Sequence, residues 1–307
     1  EDLKGDTLAH LSRLHLGVNY VGIDNNTVRL SKVRIDDLKF YLQKYEGDEK
    51  LNLQFLIDYF KVSKDTLESP VWDITSNELE LRNASFQLRD HYAESTNIGI
   101  DYKDLDVRKI NLNIKQIKID GDTIYGDVTK LNCYENRGFY LKDFKGKAKV
   151  SEKELLVQDV EIQTQHSDVK LDLHYTYNEW LDYKNFVSNV KMDYQFEHSQ
   201  VDLKDVAFFA KGLNGLEEKI TLSGHIYGSI ASLNARDLKM TYGDKTVLEG
   251  DLDLDGLPNI NETFIHVTLN RLNTHYTDLI KVPLPPFGEG KYLKLPSTVA
   301  KPRYSKL

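Results

Sequence analysis

The stretch "KINLNIKQIKIDGDTIYGDV", Lys109 to Val128, decides the fold of the chain. Its first half alternates apolar and polar residues, with one shift of register in the middle. Successive side chains of a strand point to opposite faces of a sheet, so this alternation predicts a strand with one apolar and one polar face. The shift predicts a β-bulge or a bend. The apolar residues are Ile110, Leu112, Ile114, Ile117 and Ile119.

The same alternation recurs along most of the chain, so we expect many strands and little helix. The "DGDT" after Ile119 predicts a turn, and the residues from Ile124 to Val128 begin a return strand. A closed β-sandwich core would give the same pattern, because its strands also alternate. Further alternating runs begin at Val28, Leu79, Val169, Ile220 and Phe264.

A short signature also repeats: an apolar residue, any residue, Asp or Asn, a second apolar residue, any residue, and an apolar residue or Gly. Its spacing is irregular, which excludes a fixed-period solenoid. The acidic or amide residue shifts the alternation by one position, and we interpret it as a kink or bulge built into long strands. The central residues of the six copies are Asp37, Asn83, Asp143, Asp159, Asp205 and Asp237.

Three segments break the alternation and suggest short helices. Residues 51–62 have helical spacing after Asn52, and residues 177–191 have helical spacing after Asn178, so both asparagines are candidate helix caps. A third segment, "DVAFFAKGL" from Asp205 to Leu213, is too short for a firm assignment.

The stretch "DLDLDGLPNINE", Asp251 to Glu262, matches the calcium-loop pattern D-x-[DN]-x-[DN]-G-x5-E. A calcium loop of this type joins two helices, whereas the flanking segments here alternate like strands. Leu252 and Leu254 continue a period-two face from Leu248. We therefore expect an amphipathic strand and a turn, with no metal site.

Composition limits the function further. The chain has 307 residues and a net charge of -8, which argues against a nucleic-acid partner. No segment approaches the roughly 20 apolar residues that span a bilayer. The single cysteine, Cys133, allows no internal disulfide, and "HSD" at His166 to Asp168 does not form a catalytic triad, because neighbouring strand side chains diverge. We expect no enzymatic activity, no catalytic residues and no cofactor.

Prolines are concentrated late in the chain, and "PLPPFGEG" from Pro283 to Gly290 predicts a boundary loop. We therefore expect one elongated segment over residues 1–282, followed by the boundary loop and a short segment over 283–307. The chain starts at Glu1 without a Met, so we also expect it to be part of a longer protein.

The order of these segments resembles a known family. The resemblance covers most of residues 6–290 and rests on the succession of strands. The segments are "KGDTLAHLSRLHLGV", "VRIDDLKFYLQKYEGDEKLNLQFLIDYF", "RGFYLKDFKGKAKVSEKELLVQDVEIQTQHSDVKLDLHYTY", "ITLSGHIYGSI" and "GDLDLDGLPNINETFIHVTLNRLNTHYTDL". Together they resemble the amino-proximal part of the translocation and assembly module B (TamB) family, within the AsmA-like superfamily of bridge-like lipid-transfer proteins.

The resemblance implies a mostly β fold: a long, curved antiparallel sheet that forms an open trough, with a few short α-helices. It implies the periplasmic portion of a protein anchored in the inner membrane of Gram-negative bacteria. The implied partners are phospholipid and, through regions outside this chain, an outer-membrane barrel of the outer-membrane-protein assembly family. The implied role is lipid transport linked to outer-membrane biogenesis and to protein translocation and assembly.

A trough of this kind would shield acyl chains from water, at about 0.8 kcal/mol per methylene. The alternating strands supply the residues for its lining, although each of them is equally compatible with packed core under a helix. Our candidate lining residues are Ile110, Leu112, Ile114, Ile117, Ile119, Leu171, Leu173, Leu222, Leu252 and Leu254. The alternative is a periplasmic or surface β-sandwich that serves as a binding or interaction module.

Overall fold

The computed structural model describes residues 1–56, 58, 72–94, 96 and 98–296. The chain divides into two compact units. The first unit is Glu1–Gln165 and the second is His166–Leu307. The sequence did not indicate a division at this position. The proposed boundary loop at 283 stays a prediction, although its described part closes on itself through an isolated bridge between Pro283 and Tyr292.

The first unit is a sheet built around its two longest strands. Its strands are β1 (Ala9–His10), β2 (Arg13–Gly22), β3 (Thr27–Asp36), β4 (Lys39–Lys44), β5 (Asp73–Asp90), β6 (Asp104–Asp120), β7 (Thr123–Glu135), β8 (Tyr140–Val150) and β9 (Glu154–Thr164). From β5 to β9, consecutive strands pair antiparallel. Short turns make the connections from β6 to β9, and the "DGDT" turn lies between β6 and β7 as predicted, whereas a longer segment joins β5 to β6.

One part of the predicted fold is wrong: the sheet is not purely antiparallel, because two strands pair parallel with the other side of β5. β3 pairs parallel with the first half of β5, and β4 pairs parallel with its second half. β2 then pairs with β3, and β1 with β4. A parallel pair requires a crossover of a dozen or more residues, and the long connection between β4 and β5 supplies it. Alternation along a strand does not reveal this direction.

The second unit is an antiparallel meander with short helices. Its strands are β10 (Asp168–Thr176), β11 (Lys191–Asp202), β12 (Lys219–Ser229), β13 (Ser232–Tyr242), β14 (Thr246–Asp255) and β15 (Phe264–Asn273), each paired with the next. Among the described residues, the outermost strands of each unit do not pair with each other, so neither sheet closes on itself. The prediction of a mostly β fold, with a long antiparallel sheet that stays open and a few short helices, is confirmed apart from the parallel pairs of β3 and β4 with β5.

The predicted helices are present but shorter than expected. Gln54 to Leu56 and Asp58 are helical, while Ile57 and Phe60 lie outside the described residues. In the second unit a 3-10 helix (Trp180–Asn185) runs into a short α-helix (Phe186–Asn189) before β11, and another α-helix (Leu203–Phe209) follows β11. These helices therefore flank the two ends of β11.

Neither predicted cap residue uses its side chain as the sequence suggested. Asn52 Oδ1 accepts a hydrogen bond from the Gln43 N–H at 3.0 Å, and Asn52 Nδ2 donates to Asp2 Oδ2, also at 3.0 Å. At the start of the 3-10 helix, Asp182 Oδ2 accepts from the Asn178 N–H at 2.8 Å. The cap residue of this helix is Glu179, whose N–H also donates to Asp182 Oδ2, as in a capping box.

The repeated Asp or Asn signature marks left-handed backbone. Asp37, Asn83, Asp159 and Asp237 all have φ between 49° and 54°. Asn and Asp tolerate this region better than other residues with a Cβ, which explains their place in the signature. Two copies differ. Asp143 is not among the residues with positive φ, although the register of β8 shifts between Leu141 and Asp143. Asp205 lies in a helix, where the bulge interpretation is wrong.

Three of the left-handed residues, Asn83, Asp159 and Asp237, lie in β-bulges, because the pairing register of their strands shifts there. Between Leu81 and Ala84, β5 advances three residues while β6 advances two. Equivalent shifts occur in β9 around Asp159 and in β13 around Asp237. The predicted shift between Ile114 and Ile117 is also confirmed, because Gln116 has φ 54°. Each bulge restores the apolar side chains to the same face of a bent strand.

The bulges of the first unit are joined by hydrogen bonds across the strands. Asn83 Nδ2 donates to Asp37 Oδ1 at 2.7 Å, and Asn111 Oδ1 accepts from the Asn83 N–H at 3.0 Å. Asn111 Nδ2 donates to Asn132 Oδ1 at 2.9 Å. Asn111 lies between Ile110 and Leu112, so this row of four polar residues runs along the polar face of the sheet.

Candidate functional site

The first unit has one apolar face that extends across most of its strands. Residues paired in register across neighbouring strands place their side chains on the same face. Ile114 of β6 pairs with Leu79 of β5 and with Val128 of β7. Two rows of such pairs run across the sheet from its free edge. They are Leu14, Ile35, Leu81, Leu112 and Leu131, and Leu16, Val33, Leu79, Ile114 and Val128.

This apolar face is only partly removed from water. Ile110, Leu112, Ile114, Ile117 and Ile119 are all half-buried. At the free edge the exposure rises: Leu14, Leu16, Val18 and Val21 of β2 are 49–56% exposed. The interior of a closed β-sandwich is a packed core, in which most such side chains would be buried. The half-buried side chains of β6 and the exposed side chains of β2 therefore differ from the packed interior of a closed sandwich.

The second unit has a matching apolar face. One row crosses it from Leu173 through Tyr194, Ile226, Ala235 and Leu252 to Val267. Another row joins Leu222, Met240, Leu248 and Leu272. At the edge strand β15, the apolar residues Ile265, Val267, Leu269 and Leu272 are 44–53% exposed.

The structure places all ten predicted lining residues on these two faces. Five lie on β6 of the first unit, Leu171 and Leu173 lie on β10, Leu222 lies on β12, and Leu252 and Leu254 lie on β14. Leu171 is buried, at 6% exposure, and the other nine are half-buried. Their role as a lipid lining stays a prediction. Five of the ten residues belong to the apolar face of the first unit and five to that of the second.

Several further residues lie on the same faces but are not among our ten candidate lining residues. Leu14, Leu16 and Val18 on the edge strand β2 alternate in the sequence and carried the same signal as β6. The aromatic residues Tyr175, Tyr194 and Phe196 also lie on the apolar face of the second unit. Only the cross-strand register shows that these aromatic residues extend the face.

The aromatic residues cluster at one end of this face. The Tyr175 and Phe186 rings meet edge to face at 5.6 Å, which sets the short helix before β11 against the last residues of β10. The Tyr175 and Tyr194 hydroxyls lie 2.6 Å apart, and Tyr194 Oη also donates to Met192 Sδ at 3.4 Å. Burial raises the pKa of both tyrosines, so their hydroxyls stay neutral at physiological pH.

The opposite faces carry the charges. In the first unit, Lys32 Nζ lies 2.9 Å from Glu78 and 2.8 Å from Glu80. Hydrogen bonds to Glu80 and Glu78 raise the pKa of Lys32, so this lysine stays charged. In the second unit, Arg236 pairs with Asp253 at 2.6 Å. Each sheet is therefore amphipathic, with ion pairs on one face and half-exposed apolar rows on the other.

The calcium-like stretch belongs to this amphipathic pattern. Asp251 and Asp253 lie on strand β14, and each has its own protein partner: Asp251 Oδ1 accepts from the Asp237 N–H at 3.1 Å, and Asp253 binds Arg236. Asp255, the last residue of β14, accepts from Ser232 Oγ at 2.6 Å. The predicted strand is confirmed, and Leu252 and Leu254 point to the apolar face.

No group of three or more His, Cys, Asp or Glu side chains within the described ranges is arranged to hold a metal ion. Across those same residues, none of the helices has the length and apolar character needed to cross a bilayer. Comparison of the chain with models of known families, with curated proteins and with solved structures found no match. The family resemblance therefore stays a prediction from the sequence.

Proposed function

We propose that this chain is a non-enzymatic segment of an envelope lipid-transfer protein, whose apolar faces shield the acyl chains of phospholipids. The observation that carries the proposal is the set of cross-strand apolar rows that stay half-exposed on one face of each sheet. Water-exposed apolar surface of this extent is unusual in a soluble protein unless it binds something. The charged opposite face keeps each sheet compatible with water.

Phospholipid acyl chains suit such a surface for a physical reason. Their transfer from water to an apolar contact is favourable by about 0.8 kcal/mol per methylene, and it requires no fixed polar partners. A sheet face with continuous apolar rows offers this contact in many equivalent positions. A β-sandwich binding module would instead keep its alternating residues in a sealed interior, which agrees less well with their half exposure.

The wider setting of the proposal comes from the sequence resemblance. We place the chain in the periplasmic portion of an inner-membrane-anchored protein of Gram-negative bacteria. An outer-membrane barrel of the assembly family would contact regions outside this chain, in support of outer-membrane biogenesis.

The test is lipid extraction. The purified protein is incubated with phospholipid vesicles, separated from them and extracted, and the bound phospholipid is measured by mass spectrometry. A double variant, Leu112→Asn with Ile114→Asn, places two polar groups on the apolar face and should lose most of the bound lipid. The matched control, Lys115→Asn with Lys118→Asn, changes exposed side chains of the same strand and should retain it.

Wild-type protein that carries no phospholipid would overturn the proposal. Equal loss in both double variants would also contradict it, because the effect would then not belong to the apolar face. Circular dichroism of each variant shows whether the β-structure is retained.

A further inference from the structure

Two large apolar side chains stand next to each other at the surface of the second unit. Trp180 and Leu181 begin the 3-10 helix before β11, and they are 50% and 54% exposed. Charged residues of both signs, Asp182 and Lys184, lie on the same short helix. An exposed Trp beside mixed charges is the arrangement found at boundaries between apolar material and water.

A continuous series of ring contacts leads from Trp180 into the sheet. The Trp180 and Tyr183 rings stack with centroids 6.1 Å apart, and Tyr183 contacts Phe186 at 5.9 Å. Phe186 meets Tyr175 at 5.6 Å, and Tyr175 meets Tyr194 at 5.8 Å. Each separation lies within the range of favourable aromatic pairing.

The series ends on the apolar face itself. Tyr194 pairs in register with Leu173 on β10 and with Ile226 on β12, and it contacts the ring of Phe196 at 5.9 Å. Of the three tyrosine hydroxyls on the path, those of Tyr175 and Tyr194 bond to each other, and that of Tyr183 bonds to Tyr177. The path therefore connects the exposed Trp180 to the apolar face through a series of aromatic rings.

We propose that Trp180 and Leu181 form an access surface, at which a phospholipid acyl chain first contacts the second unit before it reaches the apolar face. This inference rests on the proposed function and adds a place of access to it. An acyl chain is the occupant that fits, because the surface is continuous through aromatic rings with the apolar face.

The experiment uses tryptophan fluorescence, since the chain has only Trp72 and Trp180. In a Trp72→Phe protein, Trp180 is the sole reporter of the access surface. In a protein with Trp72→Phe, Trp180→Phe and Leu222→Trp, the reporter lies on the apolar face. Each is mixed with phosphatidylcholine vesicles that carry bromine on their acyl chains, because bromine quenches tryptophan only at contact distance.

We expect quenching of both reporters. Quenching at position 222 alone would overturn the access surface and leave the proposed function intact. Quenching at Trp180 alone would also overturn it, because contact there would not lead to the apolar face. The absence of quenching at both positions would overturn the inference and the proposed function together.

The rate of bromine quenching is a second measurement, made on the protein whose reporter is at position 222. Adding Leu181→Asp places a charge on the access surface and should slow quenching several-fold. The matched control is Ser188→Asp, at an exposed position of the adjoining helix, which should leave the rate unchanged. Equal rates in the two variants would contradict the proposed route.

Discussion

At the scale of single residues, the left-handed bulge positions explain how long strands keep one apolar face. Asp237 has φ 49° in β13, and its N–H donates to Asp251 Oδ1 on the neighbouring strand at 3.1 Å. In the first unit, the N–H of Asn83 donates to Asn111 Oδ1 in the same way. In both places a neighbouring side chain satisfies the backbone donor that the bulge removes from the ladder.

This account predicts the effect of substitutions at Asp237. Asp237→Val places a β-branched residue in left-handed backbone and should lower the free energy of unfolding by about 1–2 kcal/mol. Asp237→Gly should be close to neutral, because glycine adopts this conformation freely. The control is Lys239→Val on the same strand, outside the left-handed positions. Denaturant unfolding measures all three, and an equal loss in both valine variants would contradict the bulge interpretation.

Glu135, at the end of β7, should make the free energy of unfolding depend on pH. Its side chain is 4% exposed, and its Oε1 has no hydrogen-bond partner among the described residues. Burial raises the pKa of this carboxyl above its ordinary value of 4.5. Between the unfolded and folded pKa values the folded state binds more protons, so the free energy of unfolding falls as pH rises through this window.

We therefore expect Glu135→Gln to remove part of this dependence. Relative to wild type, the variant should gain stability as the pH rises above 4.5, as measured by denaturant unfolding at several pH values. Glu152→Gln, in the exposed turn between β8 and β9, is the control and should follow the wild-type curve. A Glu135→Gln curve parallel to that of wild type would show that burial does not perturb this carboxyl.

At the scale of elements, the strands and their two faces could be predicted from the sequence, whereas their register and direction could not. Period-two alternation identified β6 and β14 and the side on which Leu112 and Leu252 lie. It did not show that β3 and β4 pair parallel with β5, because alternation is the same in either direction. The bulges at Asn83 and Asp159 were visible because their Asp or Asn interrupts the alternation, whereas the same signature at Asp205 is part of a helix.

The pairing of β14 with β15 depends on a close approach at Gly250. A Cβ at this position would collide with the Thr268 carbonyl oxygen and lie 3.0 Å from Leu269 Cα. Gly250→Ala should therefore displace β15 and lower the free energy of unfolding by about 1–3 kcal/mol, the usual cost of overpacking. Hydrogen exchange should accelerate at the β14–β15 amides and stay unchanged at β10 and β11. Unchanged protection of β15 would show that the strand pair adjusts without loss.

At the scale of the whole molecule, the candidate site is a pair of surfaces, and this explains which parts of it were predictable. The lining residues follow from alternation, and all ten lie on strands of the two apolar faces, while their role as a lipid lining stays a prediction. The access surface at Trp180 was not foreseen, because it depends on how Phe186 and Tyr175 meet across two elements. The division into two units at Gln165 was also not foreseen, since no proline or glycine cluster marks it.

The central claim is that phospholipid occupies the apolar faces, and site-specific photo-crosslinking tests it most directly. A photoreactive amino acid replaces Ile114 on the apolar face of β6, or Lys115, the next residue, on its polar face. Each protein is irradiated in the presence of phospholipid vesicles, and adducts are identified by mass spectrometry. We predict phospholipid adducts at position 114 and none at position 115, whereas equal adducts at both positions, or none at 114, would contradict the claim.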